Sequence, residues 1–166
     1  MIQKKICLVG VHATGKTSLV QQYVFSMFSE KYHSTVGVKI DRKRVEVNGT
    51  TVNMVLWDLA GRDGTEDVQA SYLRGASGVL FVADGTRRET FEQLFELRDL
   101  CNDTIGEVPS IVAVNKSDLT DEWQMEENDY ERLTTAGMRH IVTSAKFGDK
   151  VEDVFLDLAR AMLGDG

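Results

Sequence analysis

Short runs of apolar residues alternate along the chain with longer amphipathic stretches. The runs GVLFVAD and SIVAVN are almost wholly apolar, which is typical of strands buried on both faces of a sheet. We therefore predict a mainly parallel sheet covered by helices on both faces. The predicted strands cover residues 4–9, 38–47, 51–58, 78–84, 110–115 and 140–144, and the predicted helices cover 16–28, 90–101, 127–136 and 151–163.

The second and third predicted strands form a hairpin, because they flank Asn48-Gly49, a dipeptide that favours a tight turn. The hairpin adds one antiparallel pair to the sheet. In the second strand the apolar alternation changes phase midway, with Val38 and Ile40 in one phase and Val45 and Val47 in the other. We expect a bulge or a change of buried face in this strand.

Length and composition fit a soluble protein, and we expect one domain over residues 1–166. The formal net charge of −7 argues against binding to nucleic acid and against docking on anionic lipid through a basic patch. Cys7 and Cys101 lack the spacing of a zinc site or disulfide framework and fit a reducing cytoplasm. We expect a cytoplasmic protein with no membrane anchor in this chain; peripheral membrane attachment would need a lipidated tail missing from it.

A glycine-rich turn, GVHATGKT at residues 10–17, separates the first predicted strand from the first predicted helix. It fits GxxxxGK[ST], the phosphate loop, in which backbone N–H groups and a helix N-terminus surround a phosphate. Lys16 would bridge β- and γ-phosphate oxygens, and the Thr17 hydroxyl would ligate Mg²⁺. The expected phosphate contacts come from His12, Ala13, Thr14, Gly15, Lys16, Thr17 and Ser18. The motif alone does not choose between ATP and GTP, or between a kinase and a switch.

A second phosphate-side motif, Asp58-Leu59-Ala60-Gly61, lies at the end of the third predicted strand. We expect Asp58 to hold Mg²⁺ through a water molecule, because this ion sheds its hydration shell reluctantly. The Gly61 N–H could reach a γ-phosphate oxygen, since no side chain blocks its approach. DxxG alone is also a common turn. Its position after the phosphate loop and the hairpin is what favours a phosphate contact here.

Two further motifs follow predicted strands and predict a guanine site. In Asn115-Lys116-Ser117-Asp118, the Asp118 carboxylate could accept from guanine N1–H and the exocyclic amine, a donor pair that adenine lacks. Lys116 would lay its aliphatic stem on the base, and Asn115 would brace the loops. In Ser144-Ala145-Lys146, the Ala145 N–H could meet guanine O6. Ligands of open α/β sheets bind at this edge, the carboxyl ends of the strands.

With these motifs in this order, the sequence resembles the Ras-superfamily small GTPases over nearly its whole length and looks closest to the Rab-like branch. The matching segments are GVHATGKTS, STVGV, VLWDLAGRD, SYLRGASGVLFVADGT, NKSD and SAK. The resemblance implies an α/β fold: a three-layer P-loop NTPase G domain with a six-stranded, mostly parallel sheet, one antiparallel edge strand and about five helices. It also implies a GTPase that binds GTP or GDP with Mg²⁺.

The resemblance assigns roles to two residues that the local sequence alone leaves as a loop hydroxyl and a core aromatic. Thr35 would ligate Mg²⁺ and contact the γ-phosphate, and Phe28 would pack edge-on against guanine; the alignment from Lys16 to Thr35 has no gaps. Residues around 28–38 and 61–74 would be the two switches, ordered by the γ-phosphate and released on hydrolysis. They would contact protein effectors, an activator and an exchange factor, and we expect a monomer.

Trp57 and Tyr72 match two members of the aromatic cluster through which Rab-like proteins contact effectors, and Ile40 replaces the third, a phenylalanine. Simple packing on the sheet face is an equal alternative for these side chains.

The chain departs from the family pattern at Arg62, where the resemblance leads us to expect the glutamine that orients the attacking water. A guanidinium has no acceptor, although it could neutralise charge on the phosphate oxygens or simply be solvated. His12 replaces a glycine or small residue and would point toward the γ-phosphate. The candidate catalytic residues are Lys16, Thr35, Gly61 and Arg62.

We expect slow intrinsic hydrolysis of GTP. A GTP-binding scaffold without turnover is the alternative, and a small-molecule kinase is disfavoured by the guanine-selective motifs.

Overall fold

The computed structural model describes residues 2–29, 37–59 and 70–164. Its sheet has six strands in the order β2-β3-β1-β4-β5-β6. The strands are β1 (Ile2–Val9), β2 (Val38–Val47), β3 (Thr50–Leu59), β4 (Gly78–Asp84), β5 (Ser110–Asn115) and β6 (His140–Val142). The helices are α1 (Lys16–Phe25), α2 (Ala70–Leu73), α3 (Arg88–Ile105), α4 (Glu127–Thr135) and α5 (Val151–Met162), and Thr120–Glu122 forms a single 3₁₀ turn.

The strand pairing confirms the predicted fold class. Among the described strands, β2 and β3 form the antiparallel pair, and each of the other neighbouring pairs is parallel. The hairpin turn has positive φ at Asn48 (50°) and Gly49 (81°), the combination that a type I′ turn requires.

The β2 strand has no bulge, because its register with β3 is continuous from Val38 opposite Leu59 to Val47 opposite Thr50. The strand changes its buried face instead. Val45 and Val47 pack with α1 and α5 on one side of the sheet, whereas Val38 packs with the cluster that includes α3 residues on the other side. The phase change in the sequence therefore reflects two different neighbours of one regular strand.

The core lies on both faces of the sheet. On one face, the Tyr23 ring of α1 stacks on the Phe155 ring of α5, with centroids 4.0 Å apart and an interplanar angle of 5°. The Tyr23 hydroxyl donates to Met54 Sδ of β3 at 3.4 Å, and burial raises the pKa of this phenol to about 12. The apolar side chains along one face of α5 are thus part of the core.

The first helix ends before the sequence pattern predicts. Ser26 adopts the left-handed conformation, with φ of 53°, and its N–H bonds the Gln22 carbonyl, so α1 stops at Phe25. The prediction that the helix reaches residue 28 is wrong, and Phe28 lies beyond it. None of the helices in the described ranges is long and apolar enough to cross a bilayer.

Candidate functional site

The predicted motifs meet at one edge of the sheet, where the parallel strands end. The phosphate loop follows β1, Asp58 lies near the end of β3, and residues 115–118, here called the base loop, begin at the end of β5. Residues 144–146 come shortly after β6. The topology therefore brings segments that are far apart in sequence to the place where open α/β sheets bind ligands.

The phosphate loop requires glycine at two positions. A side chain on Gly10 would approach the Val82 carbonyl of β4 to 2.5 Å, so the loop passes over the sheet only without a Cβ there. Gly15 has φ of 102°, in the region that favours glycine, and Lys16 then begins α1. Ala13 also has positive φ, 62°. Alternation of this kind turns successive backbone N–H groups toward an anion.

The Lys16 ammonium is enclosed by the phosphate loop. The residue is 6% exposed, and Nζ donates to the carbonyls of Gly10 at 3.0 Å and Val11 at 3.3 Å. Burial lowers the pKa of Lys16 to about 8, and the charge of Asp58 partly opposes that shift. Two carbonyl dipoles and the nearby Asp58 charge offset only part of the cost of burying this cation, as its lowered pKa indicates, so anionic phosphate oxygens would stabilise it further.

Thr17 and Asp58 bring two hard oxygen ligands together beside Lys16. The Thr17 hydroxyl donates to Asp58 Oδ2 at 2.5 Å, and Asp58 is buried. Hydroxyl and carboxylate oxygens are the donors that Mg²⁺ prefers, and the ion commonly takes only one or two protein ligands when it also binds substrate phosphates. The donor set at this position therefore fits Mg²⁺.

Asn115 connects the base loop to both neighbouring loops. Its buried side chain donates through Nδ2 to the Thr14 carbonyl at 3.2 Å. Its Oδ1 accepts from the Thr143 hydroxyl at 3.1 Å and from the Ala145 N–H at 3.2 Å. The amide therefore braces the loops. Its Oδ1 accepts from the Ala145 N–H, the group that the sequence analysis expected to donate to guanine O6.

Asp118 is held in place by Ser144, whose hydroxyl donates to Oδ1 at 2.8 Å. Ser144 Oγ in turn accepts from the Phe147 N–H at 3.2 Å. The exposed Lys146 places Nζ 5.6 Å from the Phe147 ring centroid. This arrangement orients the Asp118 carboxylate at the sheet edge.

Lys116 is anchored at its far end. Its backbone has φ of 75°, and Nζ donates to the Ala13 carbonyl at 3.0 Å and lies 2.8 Å from Asp84 Oδ2. With the ammonium fixed, the aliphatic stem spans the distance between the base loop and the phosphate loop. A stem held at both ends is compatible with packing on a base.

Sequence reasoning missed Asp84, which ends β4 and is 1% exposed. Burial alone raises the pKa of this carboxyl, but hydrogen bonds from Lys116 and Thr86 outweigh it, so the pKa lies below its usual value. The carboxylate also pairs with Arg87, whose Nε lies 3.1 Å from Oδ2. The available signal was a carboxylate closing an apolar strand, the same signal that identified Asp58.

The remaining predicted residues lie in the phosphate loop, in or beyond α1, or outside the described ranges. His12 is exposed in the phosphate loop, Ser18 is half-buried in the first turn of α1, and Phe28 is 38% exposed beyond that helix. Thr35, Gly61 and Arg62 lie outside the described residues.

Trp57 and Tyr72 contact one another across β3 and α2, with ring centroids 6.3 Å apart. Ile40 of β2 is in register with Trp57 and is exposed. Lys5 Nζ lies 3.6 Å above the Trp57 ring and donates to the Arg74 carbonyl at 2.7 Å. The three side chains that the sequence analysis grouped therefore belong to one surface. In it, Ile40 is exposed and Trp57 and Tyr72 are half-buried.

Comparison with known proteins identifies the family. The model of the Ras family matches residues 5–164. The chain belongs to the Ras family. This Ras-family protein is 32% identical to Ras-related protein Rab-1 of Theileria annulata over 161 residues. The aligned region covers 95% of the chain and 73% of that relative. It is 34% identical over 163 residues to Ras-related protein Rab-30 of Homo sapiens, covering 97% of the chain and 80% of the relative.

A third relative, Ras-related protein Rab-4B of Rattus norvegicus, is 34% identical over 161 residues, covering 96% of the chain and 76% of its own length. The Rab-like resemblance seen in the sequence is thus confirmed. Proteins of the Ras family are small GTPases that bind GTP or GDP, generally together with Mg²⁺.

Proposed function

We propose that this Ras-family protein is a small GTPase switch, formed by a single G domain, that binds GTP or GDP with Mg²⁺ and hydrolyses GTP slowly. The observation that carries the proposal is the buried Lys16 ammonium inside the phosphate loop, beside the Thr17–Asp58 pair. These groups supply a cation and hard oxygen ligands at one point of the sheet edge, as a nucleoside polyphosphate requires.

At the phosphate end, inward N–H groups of residues 13–18 would bind the β-phosphate, and Lys16 would exchange its carbonyl partners for β- and γ-phosphate oxygens. Thr17 and Asp58 would hold Mg²⁺, the latter through water, with Thr35 added in the GTP state. When bound, Mg²⁺ supplies neutralisation of the charge that develops on the transferred phosphoryl group.

At the base end, Asp118 would accept from guanine N1–H and N2–H, and its orientation by Ser144 supports that role. Lys116 would cover one face of the base, Phe28 would pack at its edge, and Ala145 would donate to O6. Ala145 would then share or release its bond to Asn115. Adenine lacks this pair of donors, so an adenine nucleotide would leave the Asp118 carboxylate without two of the hydrogen bonds that guanine supplies.

Hydrolysis requires water to attack the γ-phosphorus while the bond to the β-phosphate bridging oxygen breaks, giving GDP and inorganic phosphate. Gly61 would donate to a γ-phosphate oxygen. Arg62 has donors only, so it cannot accept a proton from the water, and we propose that this substitution limits the rate.

Nucleotide selection is tested by Asp118→Asn. The wild-type protein is expected to bind GDP with Mg²⁺ in a calorimetric titration and to ignore ADP. The asparagine variant should lose GDP affinity by about 100-fold or more and gain xanthosine diphosphate, whose second carbonyl needs a donor. Asp121→Asn, an exposed neighbour, is the matched control and should bind as wild type. Equal uptake of GDP and ADP by the wild type would refute the base assignment.

The rate proposal is tested by single-turnover hydrolysis of Arg62→Gln against wild type. We expect faster phosphate release from the glutamine variant, because an amide oxygen can accept from water. An unchanged or lower rate would show that Arg62 is not the limitation.

A second candidate function is a GTP-binding scaffold without turnover, which Arg62 and His12 favour. It predicts that wild-type protein keeps bound GTP and releases no phosphate during a prolonged incubation.

Effectors would bind the surface formed by Ile40, Trp57 and Tyr72, in the nucleotide-dependent manner of a switch. The chain has two tryptophans, so Trp123→Phe leaves Trp57 as the single indole reporter. We expect its fluorescence to differ between the GDP form and the form bound to a non-hydrolysable GTP analogue. Identical spectra would argue against a rearrangement at this surface.

A further inference from the structure

Two successive carbonyl groups of the phosphate loop are held by cations from outside the loop. The His12 carbonyl accepts from Arg87 Nη2 at 2.8 Å, and the Ala13 carbonyl accepts from Lys116 Nζ at 3.0 Å. Arg87 immediately precedes α3, whereas Lys116 belongs to the base loop. The loop is therefore supported from two different parts of the fold.

Arg87 and Lys116 both pair with the same carboxylate oxygen. Asp84 Oδ2 lies 3.1 Å from Arg87 Nε and 2.8 Å from Lys116 Nζ. The other oxygen, Oδ1, accepts from the Thr86 N–H at 2.8 Å and from the Thr86 hydroxyl at 2.6 Å. A buried carboxylate with this many donors is a fixed point, because charge-assisted bonds are short and directional. Arg87 is thus fixed at Nε while Nη2 reaches the loop.

The planar peptide bond transmits this support to the face of the loop that meets phosphate. In a trans peptide, the carbonyl of one residue and the N–H of the next point in opposite directions. Holding the His12 carbonyl therefore sets the direction of the Ala13 N–H. Holding the Ala13 carbonyl does the same for Thr14. Left-handed geometry at Ala13, with φ of 62°, completes the turn that makes neighbouring N–H groups converge.

We propose that Arg87 is a positioning residue for the phosphate loop: by holding the His12 carbonyl, it aims the Ala13 N–H at the β-phosphate and slows nucleotide release. The inference rests on the proposed guanine-nucleotide binding. Arg87 lies outside every motif of the nucleotide site, and it acts through the loop backbone without touching the ligand.

The neighbouring Arg88 provides a matched control. It also lies at the start of α3 and forms an ion pair, with Nη1 2.6 Å and Nη2 2.9 Å from the carboxylate of Asp129. Its backbone N–H and Nη2 also donate to Gln124, and within the described residues its side chain makes no hydrogen bond to the phosphate loop. If Arg87 served only to stabilise the beginning of α3, removing either arginine would have similar consequences.

The experiment measures release of a fluorescent GDP analogue in Mg²⁺ from wild type, Arg87→Ala, Arg87→Lys and Arg88→Ala. Arg87→Ala should release nucleotide about tenfold faster, because one charge-assisted hydrogen bond is lost. Arg87→Lys should be intermediate, since an ammonium keeps the charge but cannot reach Asp84 and the loop with a rigid fork. Arg88→Ala should match wild type.

A second readout separates positioning from general loosening. GMP lacks the β-phosphate, so competition against the fluorescent GDP analogue should show a reduced preference for GDP over GMP in Arg87→Ala. GMP affinity itself should be unchanged. Arg88→Ala should keep the wild-type preference.

Wild-type release rates in both Arg87 variants would overturn the proposal, as would equal losses of GDP and GMP affinity in Arg87→Ala. If Arg87→Ala does not fold, Arg87→Lys decides by the same two readouts. Failure of wild-type protein to retain the GDP analogue would overturn the proposed function, and this inference with it. Tight binding by wild type with no effect of Arg87 would overturn the inference alone.

Discussion

Gly15 lies so close to the side-chain amide of Asn115 that any Cβ at position 15 would overlap Asn115 Nδ2. The same nitrogen donates to the neighbouring Thr14 carbonyl at 3.2 Å. The glycine is therefore required by contact between the phosphate loop and the base loop, in addition to its φ of 102°. The two loops of the proposed nucleotide site therefore depend on one close approach of the Gly15 backbone to the Asn115 side chain.

Gly15→Ala should weaken GDP binding by at least about tenfold, because the added methyl group separates the two loops and strains the backbone. Gly49→Ala is the matched control: Gly49 also has positive φ, 81°, but nothing lies within 4 Å of its Cβ position. It should lose about 1 kcal/mol of stability without a change in GDP affinity. The measurements are calorimetric titration with GDP and urea unfolding. Equal losses of affinity in both variants would contradict the contact argument.

Phe155→Ala should lower the free energy of unfolding by about 3–5 kcal/mol, since it removes a fully buried ring that stacks on Tyr23. Phe147→Ala removes the same ring from a residue that is 71% exposed and should change stability by no more than about 0.5 kcal/mol. Urea unfolding at one fixed nucleotide concentration compares them. Similar costs for the two variants would show that the α1–α5 contact does not carry core stability.

The two thiols should be unreactive in the folded protein. Burial raises the pKa of Cys7 to about 11 and that of Cys101 to about 12. Only thiolates are alkylated, so iodoacetamide at about pH 8 should label the native chain much more slowly than the urea-unfolded chain. Intact mass measures the extent of labelling, and equal rates would refute the burial of both residues.

The same shifts predict a loss of stability in alkali. The folded thiols keep their protons at a pH at which the thiols of the unfolded chain ionise. The contribution of the protonated thiols to the free energy of unfolding is therefore complete below about pH 9, and it is lost progressively as the pH rises toward 11. Unfolding midpoints at about pH 8 and pH 10.5 should therefore differ more in wild type than in a Cys7→Ala, Cys101→Ala double variant. Lys16 and Tyr23 titrate in the same range, but both proteins contain them, so their effects on the unfolding midpoint cancel in this comparison.

Gly85 and Trp123 form a second close approach, in which a Cβ at position 85 would enter the indole ring. Gly85→Ala should cost about 1–3 kcal/mol through overpacking. In a Trp123→Ala background the same substitution should cost much less, because the ring is gone. A double-mutant cycle in urea measures the coupling, and additive effects would show that the indole adjusts freely.

The buried strands were predictable because their pattern is local. β4 and β5 occupy the predicted residues, since each is an apolar run with a polar residue at its end. The end of α1 was not predictable from the same pattern. Met27 and Phe28 continue the apolar character, while the left-handed turn at Ser26, which has no sequence signature of its own, stops the helix.

The motifs located the phosphate and base loops, but they could not show what supports them. Asp84 meets Arg87 and Lys116, and these two reach the carbonyls of His12 and Ala13, only after β1, β4 and β5 have been placed side by side. No spacing in the sequence encodes that meeting, because it depends on the strand order. The sequence predicted either a bulge or a change of buried face in β2 and could not choose between them for a related reason: which face of a strand is buried depends on helices that are distant in sequence.

The position of β2 at the rim of the sheet limits how far a rearrangement can spread. Among the described strands it pairs with β3 alone, and its first residue, Val38, is the last residue of the first proposed switch. Displacing that end would break a few hydrogen bonds along one border and leave the pairing of β1, β4 and β5 intact. The molecule is thus built so that its periphery could respond to a ligand while its interior keeps the same shape.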